Sequence, residues 1–188
     1  GTRGYNLYRY PARFHSQTDL SLDEAGTEQL RAEIAAMEDK KVLVAYFSYS
    51  GNTRAVAQSL AELTHGDLFE ISPREDYSNV YTQSNSEIRR RSRPELDAAV
   101  EDMGSYDIVF VGYPVWWHAT PAPVNSFLES YDLTGKLVIP FCTSGGSDIS
   151  GRDTFLGSCE GAAVYGGRRI TNASQLEGWL TDLDLGLI

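Results

Sequence analysis

Short apolar runs alternate along this chain with segments in which apolar side chains recur every three or four positions. Residues 41–47 (KVLVAYF), 67–71 (DLFEI), 107–111 (DIVFV) and 136–141 (KLVIPF) read as strands, and residues 161–165 as a poorer fifth. Helical spacing predicts a helix over residues 53–63, with Val56, Leu60 and Leu63 on one face. Further helices are expected over residues 94–103, opened by Pro94, and 121–129, capped by Thr120. Part of 148–156 reads as helix, and a closing helix over 172–183 has Gln175 placed for a capping box. Residues 72–86 read as a long polar connection.

Strands that alternate with helices pair in parallel through right-handed crossovers, which predicts a three-layer α/β sandwich. In such open sheets a ligand sits beyond the carboxyl ends of the strands, where the strand order reverses. The loops after the first, third and fourth strands are therefore the ones to read for function.

Residues 1–40 differ from the rest. Tyr5, Tyr8, Tyr10 and Phe14 mix with Arg3, Arg9 and Arg13 without a period, as in an irregular arm. From Thr27, a candidate N-cap, Leu30, Ile34 and Met37 predict a short amphipathic helix. The expected organisation is an N-terminal extension, 1–40, and a single domain, 41–188.

Composition narrows the function classes. With 188 residues and 41% hydrophobic content the chain can bury a real core. A net charge of -10 disfavours nucleic acid and anionic lipid as partners and favours basic ones. No stretch approaches the roughly 18 apolar residues of a membrane-spanning helix, so no membrane insertion is expected. Cys142 and Cys159 have neither CxxC nor zinc spacing. The opening Gly1-Thr2-Arg3, without a methionine, reads as a processed end; a cytoplasmic location is the expectation, with an exported form lacking its signal as the alternative. Assembly into an oligomer is left open.

The first loop, Ser48-Tyr49-Ser50-Gly51-Asn52-Thr53, runs from a buried strand into a helix N-terminus. Unpaired backbone N–H groups, the helix dipole, hydroxyls and the Asn52 amide favour a phosphate there. Neither GxxxxGK[ST] nor GxGxxG is present, so a monophosphate held by neutral donors suits the loop better than a triphosphate with magnesium. The second loop, Tyr113-Pro114-Val115-Trp116-Trp117-His118, carries large aromatic faces that a planar ligand would cover. His118 is a candidate hydrogen-bond donor to that ligand, or else a solvent-facing residue. The third loop, Thr143-Ser144-Gly145-Gly146-Ser147, lets backbone approach a ring edge closely. A cysteine phosphatase is excluded because the sixth residue after Cys142 is Asp148, and a receiver domain because the third strand ends in Val111 and Gly112.

The segments YFSYSGNTRAVA, GYPVWWHATPAPVNSFL and TSGGSDISG, in this order and separation, resemble the flavodoxin family, most closely its short-chain oxidoreductase relatives. The resemblance spans residues 41–183. It implies a five-stranded parallel sheet of order 2-1-3-4-5 binding FMN. Residues 48–53 would hold the FMN phosphate, 113–118 would flank the isoalloxazine, and 143–147 would line its other edge. The implied function is electron transfer through a noncovalently bound flavin, to a redox partner protein. The alternative is an FMN-dependent NAD(P)H:quinone-type oxidoreductase, since the third loop offers no aromatic and one flavin face would be open. No residue other than His118 is a candidate for chemistry, because the flavin itself carries the electrons.

Overall fold

Strand periodicity alone requires two cores. In the computed structural model of the chain, which describes residues 21–144 and 152–188, β1 (Val42–Tyr46) turns Val42, Val44 and Tyr46 to one face and Leu43 and Ala45 to the other. β2 (Asp67–Glu70) pairs with β1 on one side, and β3 (Ile108–Tyr113) on the other. β4 (Leu137–Cys142) follows β3, and every position of β1, β3 and β4 is buried, as in a sheet covered on both faces. The far edge consists of two short pieces, β5 (Ala163–Val164) and β6 (Arg168–Arg169), each parallel to β4 and separated by residues 165–167. The order is β2-β1-β3-β4-β5, so the chain reverses direction across the sheet between β1 and β3.

On the first face lie α1 (Glu24–Ala35), α2 (Asn52–Thr64) and α6 (Leu176–Leu183). α2 buries Thr53, Val56, Ala57, Leu60, Ala61 and Thr64, the stripe expected of a period of 3.6. It stops where His65 enters the left-handed region at φ 54° and Gly66 N–H bonds back to Ala61 O. Trp179 of α6 is fully buried edge-on to Phe110 and Phe141, and its Nε1 donates to Gly166 O. The capping box expected at Asn172 and Gln175 is formed, around a 3₁₀ turn that leads into α6. Ile34 of α1 belongs to this core, and Leu22 N–H bonds Ala162 O, which ties the segment before α1 to the β5 edge. On the second face α4 (Ala122–Glu129) and α5 (Arg152–Leu156) cover Val109, Val111, Tyr113 and Val138, with Phe127 and Phe155 as the largest contributors.

Four sequence expectations need correction. No α-helix forms over residues 94–103, of which only Met103 is helical, opening a 3₁₀ turn (Met103–Ser105); a helix, α3, occupies Val80–Arg90 instead, starting inside the supposed polar connection. Its N-cap is Asn79, whose side chain accepts from Thr82 N–H, while Gln83 Oε1 accepts from Asn79 N–H. Residues around Pro94 run extended because their polar groups find partners elsewhere: Arg74 N–H bonds Glu95 O, Asp97 N–H bonds Ser72 O, and Val100 N–H bonds the Tyr131 hydroxyl. The cap of α1 is Asp23, through Gly26 N–H, rather than Thr27. Thr120 does not cap α4, whose N-cap position is Pro121 without a side-chain bond; the Thr120 hydroxyl instead accepts from Thr154. β3 extends two residues beyond Val111, because Gly112 and Tyr113 stay paired with Phe141 and Cys142.

Candidate functional site

The carboxyl ends of β1, β3 and β4 meet at the crossover point, and their three loops are joined directly. Thr53 Oγ1 and Thr143 Oγ1 lie 2.7 Å apart, both side chains buried, and Asn52 Nδ2 reaches Thr143 O at 3.5 Å. Val115 N–H donates to Ser144 Oγ at 2.8 Å. The first and second loops are each fastened to the third by a hydroxyl.

Within the first loop Ser48 Oγ turns inward and accepts from Gly51 N–H at 3.1 Å and from Arg54 N–H at 3.3 Å. Gly51 stands at φ 95°, a conformation that side chains avoid, and this bends the chain into α2. Tyr49, Ser50 and Asn52 are exposed at the lip, while Thr53 faces the interior. The cation that follows the loop, Arg54, is drawn away: its guanidinium pairs with Glu70 and bonds the Tyr46 hydroxyl. The donor set at the lip is therefore neutral, made of hydroxyls, an amide and helix-terminal N–H groups. This chemistry fits a phosphate monoester seated on a helix dipole.

The second loop separates its aromatic residues by environment. Tyr113 is fully buried on the second face, stacked on Phe155 at 5.8 Å, and cannot flank a ligand. Pro114 and Val115 are half-buried. Trp116 packs edge-on against Phe47, Tyr49 and Tyr77, with centroids 5.2, 5.9 and 5.3 Å away. Trp117 and His118 form the two-residue turn of a small hairpin in which Trp116 and Ala119 exchange both backbone hydrogen bonds. Both turn residues have positive φ, 55° and 59°, as a type I′ turn demands, in a place where Asn-Gly is the usual choice. A tryptophan and a histidine held there are strained, and strain of this kind collects at functional sites. The turn projects Trp117, 47% exposed, and the exposed His118 outward. The Trp117 indole is fixed by Nε1 donating to Ser84 Oγ at 2.8 Å.

In the third loop Thr143 is buried and Ser144 half-buried. The expected contributions of Gly145, Gly146 and Ser147 lie outside the described residues.

Sequence reading missed Phe47, Tyr77, Ser84 and Glu87. Tyr77 walls Trp116 and donates its hydroxyl to Glu87. Burial pushes the Glu87 carboxyl above the usual carboxylate range, only partly offset by that bond. The available signal was Asn79 with Gln83 four residues on, a helix start that the scarcity of apolar residues in α3 concealed. Among the described residues no group of acidic, histidine or cysteine side chains could hold a metal ion, and no helix is long and apolar enough to cross a membrane.

Comparison with known proteins agrees with this architecture. The chain is 30% identical over 128 residues to an NAD(P)H dehydrogenase (quinone) from Acidovorax ebreus, and spans 62% of that relative's length. A crystal structure of a candidate flavoprotein from Bacteroides eggerthii superposes with a TM-score of 0.68 at 35% identity, over 77% of this chain and 98% of that one. A flavoprotein in complex with FMN from Lactobacillus acidophilus shares the fold, at 24% identity and a TM-score of 0.62 over 76% of this chain and 99% of that one. The flavodoxin family model matches residues 41–183, the whole of the sheet and the three loops, and the chain belongs to the flavodoxin family.

Proposed function

We propose that this protein binds FMN noncovalently at the crossover between β1 and β3 and passes electrons through it. The observation that carries this reading is the joining of two unlike surfaces at one sheet edge. A neutral, donor-rich helix N-terminus (Ser50, Gly51, Asn52) lies beside an aromatic wall built on Trp116. A ligand with a phosphate at one end and a flat ring at the other satisfies both. Bound FMN supplies the one- and two-electron chemistry.

The chain's own residues bind and orient. N–H groups at the start of α2, with Ser50 and Asn52, would take the phosphate oxygens. Ser48, committed to Gly51 and Arg54 N–H, shapes the loop. Thr53 fixes the distance to the third loop through Thr143. Trp116 and Tyr49 would meet the ring, and residues 143–147 would line its far edge. The division into an extension, 1–40, and an FMN domain, 41–188, belongs to the same proposal. So does a cytoplasmic setting.

A titration of the apo-protein with FMN, followed by quenching of flavin fluorescence, tests the reading. Ser50→Ala with Asn52→Ala is the informative variant because both side chains are exposed and hold no part of the core. Loss of charge-assisted hydrogen bonds worth about 1.5–3 kcal/mol each predicts a tenfold or greater weakening. Absence of saturable quenching in the unmodified protein overturns the proposal.

The relative named as a quinone dehydrogenase favours a second reading, an FMN-dependent NAD(P)H:quinone-type oxidoreductase rather than a carrier serving a partner protein. Turnover of NADPH with a soluble quinone separates the two.

A further inference from the structure

The exposed face of Trp117 borders a cleft that the FMN reading leaves unused. The cleft, about 510 Å³, lies along α3 and is lined by Thr82, Asn85, Ser86, Arg89, Arg90 and Trp117. Its size is that of a small-ligand site. Thr82, Ser86 and Arg89 fall on one helical face, and Arg90, the next residue round the helix, lines the same cleft, so two hydroxyls and two guanidinium side chains border one space. Arg89 and Arg90 are exposed, and among the described residues neither has an ion-pair partner, in a chain whose net charge is -10. Two cations lining one cleft repel one another, and a bound anion relieves this.

The cleft's lining combines two chemistries. Paired guanidinium groups, with neutral donors beside them, recognise the several oxygens of a phosphate better than a single carboxylate. The indole offers a planar surface to the same cleft, and its bond to Ser84 holds it still, so little order is lost when a flat base covers it. Trp117 also adjoins Trp116 in the same strained hairpin, which places the cleft next to the proposed flavin wall.

We infer that this cleft binds the 2′-phosphoadenosine end of a phosphorylated nicotinamide dinucleotide, with the 2′-phosphate on Arg89 and Arg90 and the adenine against Trp117, and so selects NADPH over NADH. The inference rests on the reading of the protein as a flavin-dependent redox protein and supplies its electron donor. With FMN bound, the nicotinamide would give its hydride to the flavin, and the dinucleotide would leave oxidised. Arg89 and Arg90 bind and discriminate; they take no part in the transfer.

The test uses redox-inert probes, so binding is read without turnover. Calorimetric titration of the FMN-loaded protein with 2′,5′-ADP, with 5′-AMP and with inorganic phosphate is compared with the same titrations of Arg89→Gln/Arg90→Gln. The expected result is 2′,5′-ADP binding about tenfold or more tighter than 5′-AMP, with inorganic phosphate weaker than both. The double variant, whose two side chains are exposed, keeps its fold and its FMN and loses the preference. Trp117→Leu weakens both nucleotides and leaves inorganic phosphate unchanged. Equal affinity for the two nucleotides overturns the inference, as does a preference that survives in the double variant. Inorganic phosphate binding as tightly as 2′,5′-ADP also overturns it, and assigns the arginines to a general anion site. If the protein takes up no FMN, the flavin reading falls separately, and the same titrations on the flavin-free protein still decide the cleft.

Discussion

Gly112→Ala is a small change with a large expected effect. Gly112 lies in β3 next to the start of the second loop, and its carbonyl accepts from Phe47 N–H, so it sits where two site loops leave the sheet. A Cβ there would stand 2.2 Å from Phe141 Cζ and 2.4 Å from Cε2. Carbon atoms in contact keep about 3.5–4.0 Å apart, so the ring would have to retreat by more than about 1 Å. It has nowhere to go: Phe141 is 0% exposed and packs edge-on to the equally buried Trp179. Overpacking of this kind costs about 1–3 kcal/mol, and either the ring or the strand must yield. With a urea slope of about 1–3 kcal/mol/M, the unfolding midpoint should fall by roughly 1 M. Phe141→Ala alone should cost about 3–5 kcal/mol through the cavity it leaves. In the double variant the new methyl group occupies part of that cavity, so the two costs do not add, and the coupling should amount to about 1–3 kcal/mol. Urea unfolding of the four proteins, followed by tryptophan fluorescence and far-UV circular dichroism, measures this directly. Gly112→Ala indistinguishable from the parent, or strictly additive changes, would refute the packing argument.

Two further outcomes follow from buried polar groups. Arg93 Nε donates to Glu129 Oε2 at 2.8 Å with both side chains almost fully buried, and Ser158 donates to the same oxygen. Arg93→Met strands a buried carboxylate and should lower stability by about 3–5 kcal/mol, whereas Arg93→Met/Glu129→Met should recover most of it; a single-variant loss below about 1 kcal/mol would contradict this. Burial, then the hydrogen bond to Asp67, pushes the Tyr106 phenol up to about 12. The unfolded chain releases that proton near pH ~10, so between about 10 and 12 the native state holds more protons and stability falls as pH rises. Tyr106→Phe should flatten that slope in urea midpoints taken across the alkaline range, and an unchanged slope would assign it to other groups.

Much of this protein is determined locally. The alternation of residues 42–47 and the runs at 108–111 and 137–141 specify strands buried on both faces, because consecutive side chains must leave a strand on opposite sides. The stripe Val56, Leu60 and the hydroxyl knot before it specify a helix and its donor-rich start, since both depend on neighbours within a turn or two. What the sequence could not settle involves partners far along the chain. Whether residues 80–90 or 94–103 form a helix depends on bonds from residues 72–74 to 95–97 and from Tyr131 to Val100. Local propensity carries no information about these. That Tyr113 is core, Trp116 a wall and Trp117 an outward blade is decided by Phe155, by Phe47 with Tyr77, and by Ser84, each from a different element. The sequence alone therefore determined which loops meet at the crossover of the sheet. Only tertiary packing decided which face each side chain presents, because burial and hydrogen bonding across elements outweigh the fractions of a kcal/mol that separate one residue's local conformations.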